Sequence, residues 1–338
     1  MGRFVVVLSV AVGILAAAPA GAAQPTFEGK QITMVVGAAA AGTLDAYARL
    51  LARHMGRHLP GNPTFVVQNL AGAGGAAAAQ LLVSRGVVDG TLMGSVTRAL
   101  TLDPLLTDQQ FGFDPLAFNW LGSLNKDFNG VVISNTAPVK TFADVFTTET
   151  IVAATSAGSD GVVYPNLMNR LLGTKFKVVA GYAGDAEMGL AVERGEAHGR
   201  GGVTWSAIKT VSADKLKDGS LKVIVQLGLT ENPEWPGVPM LLDSVKDPKH
   251  RQIFELIFAR QDMGRPFLLP PGVPADLVDL FRTAFTATAK DPQFLAEAQR
   301  LSLDINLLAG REMQDMMARL YKTPQDIVDE TKKALKGG

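Results

Sequence analysis

Short β-branched runs alternate with helix-period stretches along most of the chain. Ile32 to Val36 is a near-continuous apolar run, as expected of a strand covered on both faces. It passes through Gly37-Ala38-Ala39-Ala40-Ala41-Gly42 into a predicted helix from about Thr43 to Leu59, where Leu44, Tyr47, Ala48, Leu51, Met55 and Leu59 recur at helical spacing. Thr64 to Gln68 as strand, Asn69 to Gly75 as glycine loop and Ala76 to Arg85 as helix repeat the unit. Thr91 to Val96 reads as a third strand after an Asp89-Gly90 turn.

Beyond Trp120 the same pattern restarts. Val131 to Ser134 and Ile151 to Thr155 are predicted strands, and Ser156 to Gly161 a loop entering a helix through Leu172. Lys177 to Ala180 is a strand, Gly181-Tyr182-Ala183-Gly184 a loop, and Asp185 to Arg194 a helix. Leu221 to Leu227 returns as a strand, and proline-rich Thr230 to Pro239 reads as a connection. Then come a strand at Phe267 to Leu269, a helix from Pro274 to about Lys290, and helices at Pro292 to Arg300 and Gly310 to Lys322.

Four strand–glycine loop–helix units thus fall in two pairs, one in each half of the chain. Each begins a helix whose first N–H groups lack backbone partners and, with the helix dipole, attract an anion. Open sheets bind ligands beyond the carboxyl ends of their strands. Two such lobes facing each other would hold one small anion from both sides.

Composition sharpens this picture. The 338 residues, 47% of them apolar, suffice for two domains. Lys and Arg total 32, as do Asp and Glu, so no net charge draws the chain to nucleic acid or membrane surfaces. Cysteine is absent, which excludes disulfides, thiolate metal sites, cysteine nucleophiles and a lipidated cysteine anchor. Residues 1–23 read as a secretory signal: Arg3, an apolar run from Phe4 to Ala18, Pro19, and small residues suited to cleavage near Ala22. Together these point to export into a bacterial periplasm.

Gly72, Gly74 and Ala77 loosely meet the spacing of a dinucleotide fingerprint, but Asp89 lies too near and in a turn, so no cofactor is expected. His54 and His58 are four apart on a helix, the spacing of a shared metal; a solvated face is the expectation, and no metal site is assigned. No nucleophile-elbow spacing surrounds Ser159, and His198 and His250 lack suitable neighbours, so no catalytic residue is assigned. Asp45 either orients a loop, meets a cationic group of a ligand, or complements the helix dipole. Arg98 either pairs with a second ligand carboxylate or lies on the surface. Thr204 and Trp205 either cover a ligand or pack ordinarily, and Glu187, Glu193 and Glu196 are expected to be exposed.

Ile32 to Arg49 (ITMVVGAAAAGTLDAYAR) resembles the opening of the Bug-type, TctC-like receptors of tripartite tricarboxylate transporters, with Gly42, Asp45, Ala48 and Arg49 matching and Ala41 replacing a glycine. Val66 to Gly75 (VVQNLAGAGG) resembles that family's N-x-x-G-A-G-G segment, and Asp89-Gly90-Thr91-Leu92 its following turn. Val179 to Gly199 resembles a later landmark, with His198 in place of aspartate; Val238-Pro239 and Pro271-Gly272-Val273-Pro274 match two more. The resemblance spans about residues 27 to 325.

The resemblance implies an α/β, two-lobed periplasmic binding protein of type II with its ligand cleft between the lobes. It implies capture of a small organic carboxylate, delivery to membrane permease subunits, and a monomer. Carried over by position, one lobe would contribute Gly42, Thr43, Asp45, Gly74, Gly75 and Ala76, and the other Ser156, Gly158, Ser159, Tyr182, Gly184 and Asp185, with Arg98 and Thr204 added from the reading above. The expected lobes are 24–124 with 230–338, and 125–229, hinged near Ser123 to Asp127 and Gly228 to Asn232. An exported hydrolase, or a receptor presented to a membrane kinase, are the alternatives.

Overall fold

The computed structural model describes residue 2, residues 26–155 and residues 159–335. All of the proposed leader but Gly2, and the candidate residues Ser156 and Gly158, lie outside this set. Strand β1 (Gln31–Val36) leads to α1 (Thr43–His54), β2 (Thr64–Asn69) to α2 (Ala76–Arg85), and β3 (Leu92–Ser95) to α3 (Ala99–Leu106). Then follow β4 (Asn119–Ser123), β5 (Asn129–Ser134), β6 (Thr150–Ala154), α4 (Asp160–Leu172), β7 (Phe176–Ala180) and α5 (Asp185–Glu193). Next come β8 (Gly199–Thr204), α6 (Trp205–Val211), α7 (Ala213–Lys217) and β9 (Leu221–Leu227). The chain ends with α8 (Pro248–Asp262), β10 (Pro266–Leu269), α9 (Ala275–Lys290), α10 (Pro292–Arg300), β11 (Leu308–Ala309), α11 (Gly310–Leu320) and α12 (Gln325–Leu335).

The strands form two sheets, ordered β11-β4-β10-β3-β1-β2 and β7-β6-β8-β5-β9. In each, a strand and its two neighbours are parallel: β1 between β2 and β3, and β6 between β7 and β8. In each, the next strands along run antiparallel, β10 and β4 in one and β5 and β9 in the other. The two sheets therefore share one arrangement, the first completed by β10 and β11 from the end of the chain. This is the α/β, two-lobed architecture expected, with the described glycine loops at carboxyl ends of strands.

Several elements leave no clear mark in the sequence. Helix α8 buries Ile253, Phe254, Leu256, Ile257, Phe258 and Ala259, so its apolar face is too wide and its polar face too short to mark a clear helical period. Its Ile253, Phe254, Ile257 and Phe258 enter the core over the second sheet, while Leu256 and Ala259 enter a core of the first. Helix α12 adds Ile327 and Ala334 to the second-sheet core. Segments after residue 230 thus contribute to both lobes.

Strand β8 reads Gly-Arg-Gly-Gly-Val-Thr, poor in strand formers, and its glycines have a steric purpose. A Cβ on Gly202 would stand 2.5 Å from the Asp160 carbonyl oxygen, and one on Gly201 would strike the Pro165 ring. The bare strand lets the first turn of α4 lie directly on the sheet. We expect Gly202→Ala to destabilise the fold by about 1–3 kcal/mol, the usual range for overpacking, seen as a lower urea midpoint with an unchanged slope. An unchanged midpoint would show that this apposition is not tight.

Candidate functional site

A cavity of about 420 Å³ opens beyond the carboxyl ends of β6 and β8, between the two sheets. The first-sheet side supplies Arg98 and Ala99, from the turn after β3. The second supplies Ala153 to Thr155, Ser159 to Gly161, Asp185, Met188, Arg200, Gly202 to Thr204 and Ala207, while Arg260 comes from α8. The described lining contains no aromatic ring and no histidine. A groove of about 480 Å³ along α1 and the edge of β2 draws on one sheet only. Its Arg49, Arg53 and Arg57 are each paired with an acid, to Asp45, Glu297 and Asp291. The cleft between the sheets is the candidate site.

Charged groups alternate around it. Arg98 Nη2 donates to Asp160 Oδ2 at 2.9 Å, tying the first-sheet side to the start of α4, and Arg98 Nη1 reaches Asp127 at 3.5 Å. Asn129 Nδ2 donates to the same Asp160 oxygen at 3.3 Å. Arg200 is bonded to Asp185, and Arg260 donates to Asp103 at 3.0 Å. Burial lowers the Arg98 pKa, but the Asp160 carboxylate, with Tyr164 and Asp127, more than offsets it and holds the guanidinium above its ordinary value. Burial pulls Arg200 below its ordinary value, with Asp185 opposing. Burial pushes the Asp127 carboxyl up, against Arg98 and Arg265.

Of the residues named from sequence, Arg98, Ser159, Asp185 and Thr204 line this cavity. Arg98 is ion-paired and half-buried rather than a free surface group. Thr204 Oγ1 accepts the Ala207 N–H and so caps α6. Trp205 packs edge-on against Trp235 at 5.3 Å, away from the cavity lining. Gly184 is the N-cap residue of α5, and Tyr182 packs beside Met188 and Val192; neither lines the cavity.

Gly42, Thr43, Asp45, Gly74, Gly75 and Ala76 stand outside the lining. Gly72, Gly74 and Gly75 take positive φ (144°, 64° and 97°), with Ala73 between them at 45°, a path that favours glycine. Thr97 Oγ1 donates to the Gly74 carbonyl at 2.8 Å, so this turn braces the residue before Arg98. Asp45, 2% exposed, accepts from the Ala41 N–H, Arg49 Nε and Asn69 Nδ2, each at 2.9 Å. It orients the β1–α1 loop and ties it to the end of β2.

Arg200, Arg260 and Asp160 were not singled out by the sequence reading; residues 98, 200 and 260 have no common spacing to reveal them. The histidine expectation is corrected as well. His54 is 7% exposed, not solvated: its Nε2 meets Glu297 at 2.5 Å, and Phe294 lies edge-on at 5.6 Å. His58 pairs with Asp291 at 2.9 Å. These histidines staple α1 and its following turn to α10, and no metal-binding group of three ligands occurs among the described residues.

No family model and no curated protein matches the chain. Solved structures do. A TctC solute-binding protein from Polaromonas, without ligand, is 20% identical over 89% of this chain and 98% of its own, with a TM-score of 0.70. An adipate-bound protein of R. palustris is 20% identical over 90% of this chain and 97% of its own, with a TM-score of 0.59. MatC from Rhodopseudomonas palustris, with bound malate, is 20% identical over 90% of this chain and 99% of its own, with a TM-score of 0.55. The chain therefore has the fold of the TctC- and Bug-type solute-binding proteins.

Burial raises the Asp45 pKa, but the Arg49, Asn69 and Ala41 hydrogen bonds outweigh it and leave the carboxyl below its ordinary 3.8. A depressed folded pKa means the ionised group stabilises the fold above its unfolded pKa, and that stability is lost as pH falls through the folded value. We expect Asp45→Asn to cost about 1–3 kcal/mol near neutrality, with the gap in melting temperature closing as pH drops below the ordinary carboxylate range. A gap that persists unchanged into strong acid would assign the effect to shape rather than charge.

Proposed function

We propose that this chain is an exported periplasmic receptor that captures a small organic carboxylate and delivers it to the permease of a tripartite tricarboxylate-type transporter. The observation that carries the reading is the cleft itself. Guanidinium groups from the first-sheet side, from β8 and from α8 converge on it, and the first turn of α4 opens into it. Donors from both sheets suit an acid's oxygens, since charge-assisted bonds of about 1.5–3 kcal/mol each offset the desolvation of a carboxylate. The solved structures of like fold with bound adipate and malate support the same ligand class.

The reading is of binding without turnover. An exported hydrolase needs a nucleophile and a base within hydrogen-bond reach, and the described lining offers hydroxyls but no histidine. In this reading residues 1–23 direct export, and no helix among the described residues is long and apolar enough to cross a membrane. The lobes close as a monomer about the crossings between β4 and β5 and after β9, where the chain passes from one sheet to the other. Balanced charge gives nucleic acid no purchase, and no cofactor is assigned.

A ligand that binds only the folded state stabilises it by about 2.7 kcal/mol at a hundred times its dissociation constant. A panel of organic acids is therefore expected to raise the melting temperature in a concentration-dependent way. Isolated permease subunits should retain the acid-loaded chain more than the unloaded one. A panel of carboxylates without effect, alongside a clear shift from sugars or cations, would refute the ligand assignment.

A further inference from the structure

Among the described residues four strands end the two sheets, and they are not alike. At the far edge of the first sheet β11 has only two residues; at the edges of the second, β7 carries Lys177 and β9 carries Lys222. Strand β2 runs for six residues, Thr-Phe-Val-Val-Gln-Asn, without a charge. Short length or a charged side chain is what ordinarily keeps an open edge from pairing with another chain. The Leu70 N–H donates to the Val36 carbonyl at 2.8 Å, so strand alternation turns the main chain of Phe65 and Val67 toward the open side. Both residues line the groove of about 480 Å³ beside that edge.

The other wall of this groove is a row of arginines. Helix α1 runs along β2 from its end to its start: Arg49 Nη2 donates to Asn69 Oδ1, and a Cβ on Gly56 would meet the Pro63 carbonyl oxygen. The side chains of Arg49, Arg53 and Arg57 are 44%, 47% and 34% exposed, whereas those of their partners Asp45, Glu297 and Asp291 are 3%, 23% and 13% exposed. The acids stand behind the cations, and one carboxylate engages at most two of the five N–H groups of a guanidinium. Arg57 is tied also to Gln293 and His54, so Arg49 and Arg53 keep more of their donors. Residues one helical turn apart are separated by about 6 Å along the axis, and alternate side chains of a strand by about 6.7 Å. A strand laid on β2 with an acid at every second position meets this row nearly in register.

We propose that the groove receives an extended acidic segment of a partner protein, which adds to β2 as a further strand and sets alternate carboxylates on Arg49 and Arg53, with Arg57 continuing the row. Main-chain bonds to the edge supply affinity, and the arginines select acids over other side chains. The groove belongs to the first sheet alone, apart from the cleft, so the inference does not rest on the carboxylate reading.

Fluorescence anisotropy of the full mature chain with a labelled heptapeptide alternating glutamate and valine tests this. Its controls are a peptide of the same residues with the glutamates in one block, an alternating lysine–valine peptide, and two N-methylated forms, one methylated at the glutamates and one at the valines. Only one of those two sets of N–H groups can face β2. The alternating acidic peptide should bind one to one. Blocking, lysine, methylation of one set and Arg53→Gln should each weaken it about tenfold or more. No binding of the alternating acidic peptide, equal binding of the blocked peptide, or indifference to methylation of either set would overturn the proposal. Binding to phosphatidylglycerol vesicles in place of the peptide would overturn it in favour of a lipid surface. Should Arg53→Gln not fold, the peptide series on the wild-type chain decides alone.

Discussion

A charge taken out of water must meet an opposite charge, and that constraint organises the space between the two sheets. Arg98, Arg200 and Arg260 each reach the cavity wall, and each is met by an aspartate. None of these pairs is a matter of neighbours in sequence. Arg98 and Asp160 come from different sheets' connections, and Arg260 and Asp103 join α8 to α3. The cleft is thereby lined with cations without unbalanced charge, as the equal totals of basic and acidic residues require of the chain as a whole.

Those pairs depend in turn on how closely the backbone elements approach. Asp160 reaches Arg98 because α4 begins directly on β8, and it begins there because Gly201 and Gly202 present no side chain. On the other side, the positive-φ run from Gly72 to Gly75 turns the chain back sharply enough for the Gly74 carbonyl to hold Thr97, beside Arg98. Glycine therefore serves two physical ends. In β8 it removes bulk, and in the β2–α2 turn it permits a left-handed path. Both place charged side chains that lie far away in sequence.

The strand–glycine loop–helix units were legible because their signals are local. A β-branched run, a glycine turn and a 3.6-residue period sit within one stretch of chain, and α2, β9 and α10 begin and end where the pattern predicts. Helix α8 was not legible, because its apolar residues from Ile253 to Ala259 are shared between two cores and leave only a short polar face at Arg251 and Glu255. Strand β8 left little mark beyond its end near Thr204, because its glycines answer to α4 rather than to strand propensity. His54 shows the same limit in a side chain: its partner Glu297 lies 243 positions away, and nothing near His54 in sequence foretells burial. Of the readings open for Asp45, loop orientation is the one its hydrogen bonds bear out.

The glycine turns drew attention to main-chain amides as the acid-holding groups, whereas the described cavity adds three guanidinium groups to the helix starts that line it. The two devices differ in what they can discriminate. An amide dipole at a helix start attracts any acid, and its strength varies little with the rest of the ligand. A guanidinium already satisfied by an internal carboxylate responds only to a group that can displace that carboxylate, so it sets a higher bar than an amide does. With α8 packed into the cores of both lobes and contributing Arg260 to the cavity, the charged wall is also tied to the element the lobes share.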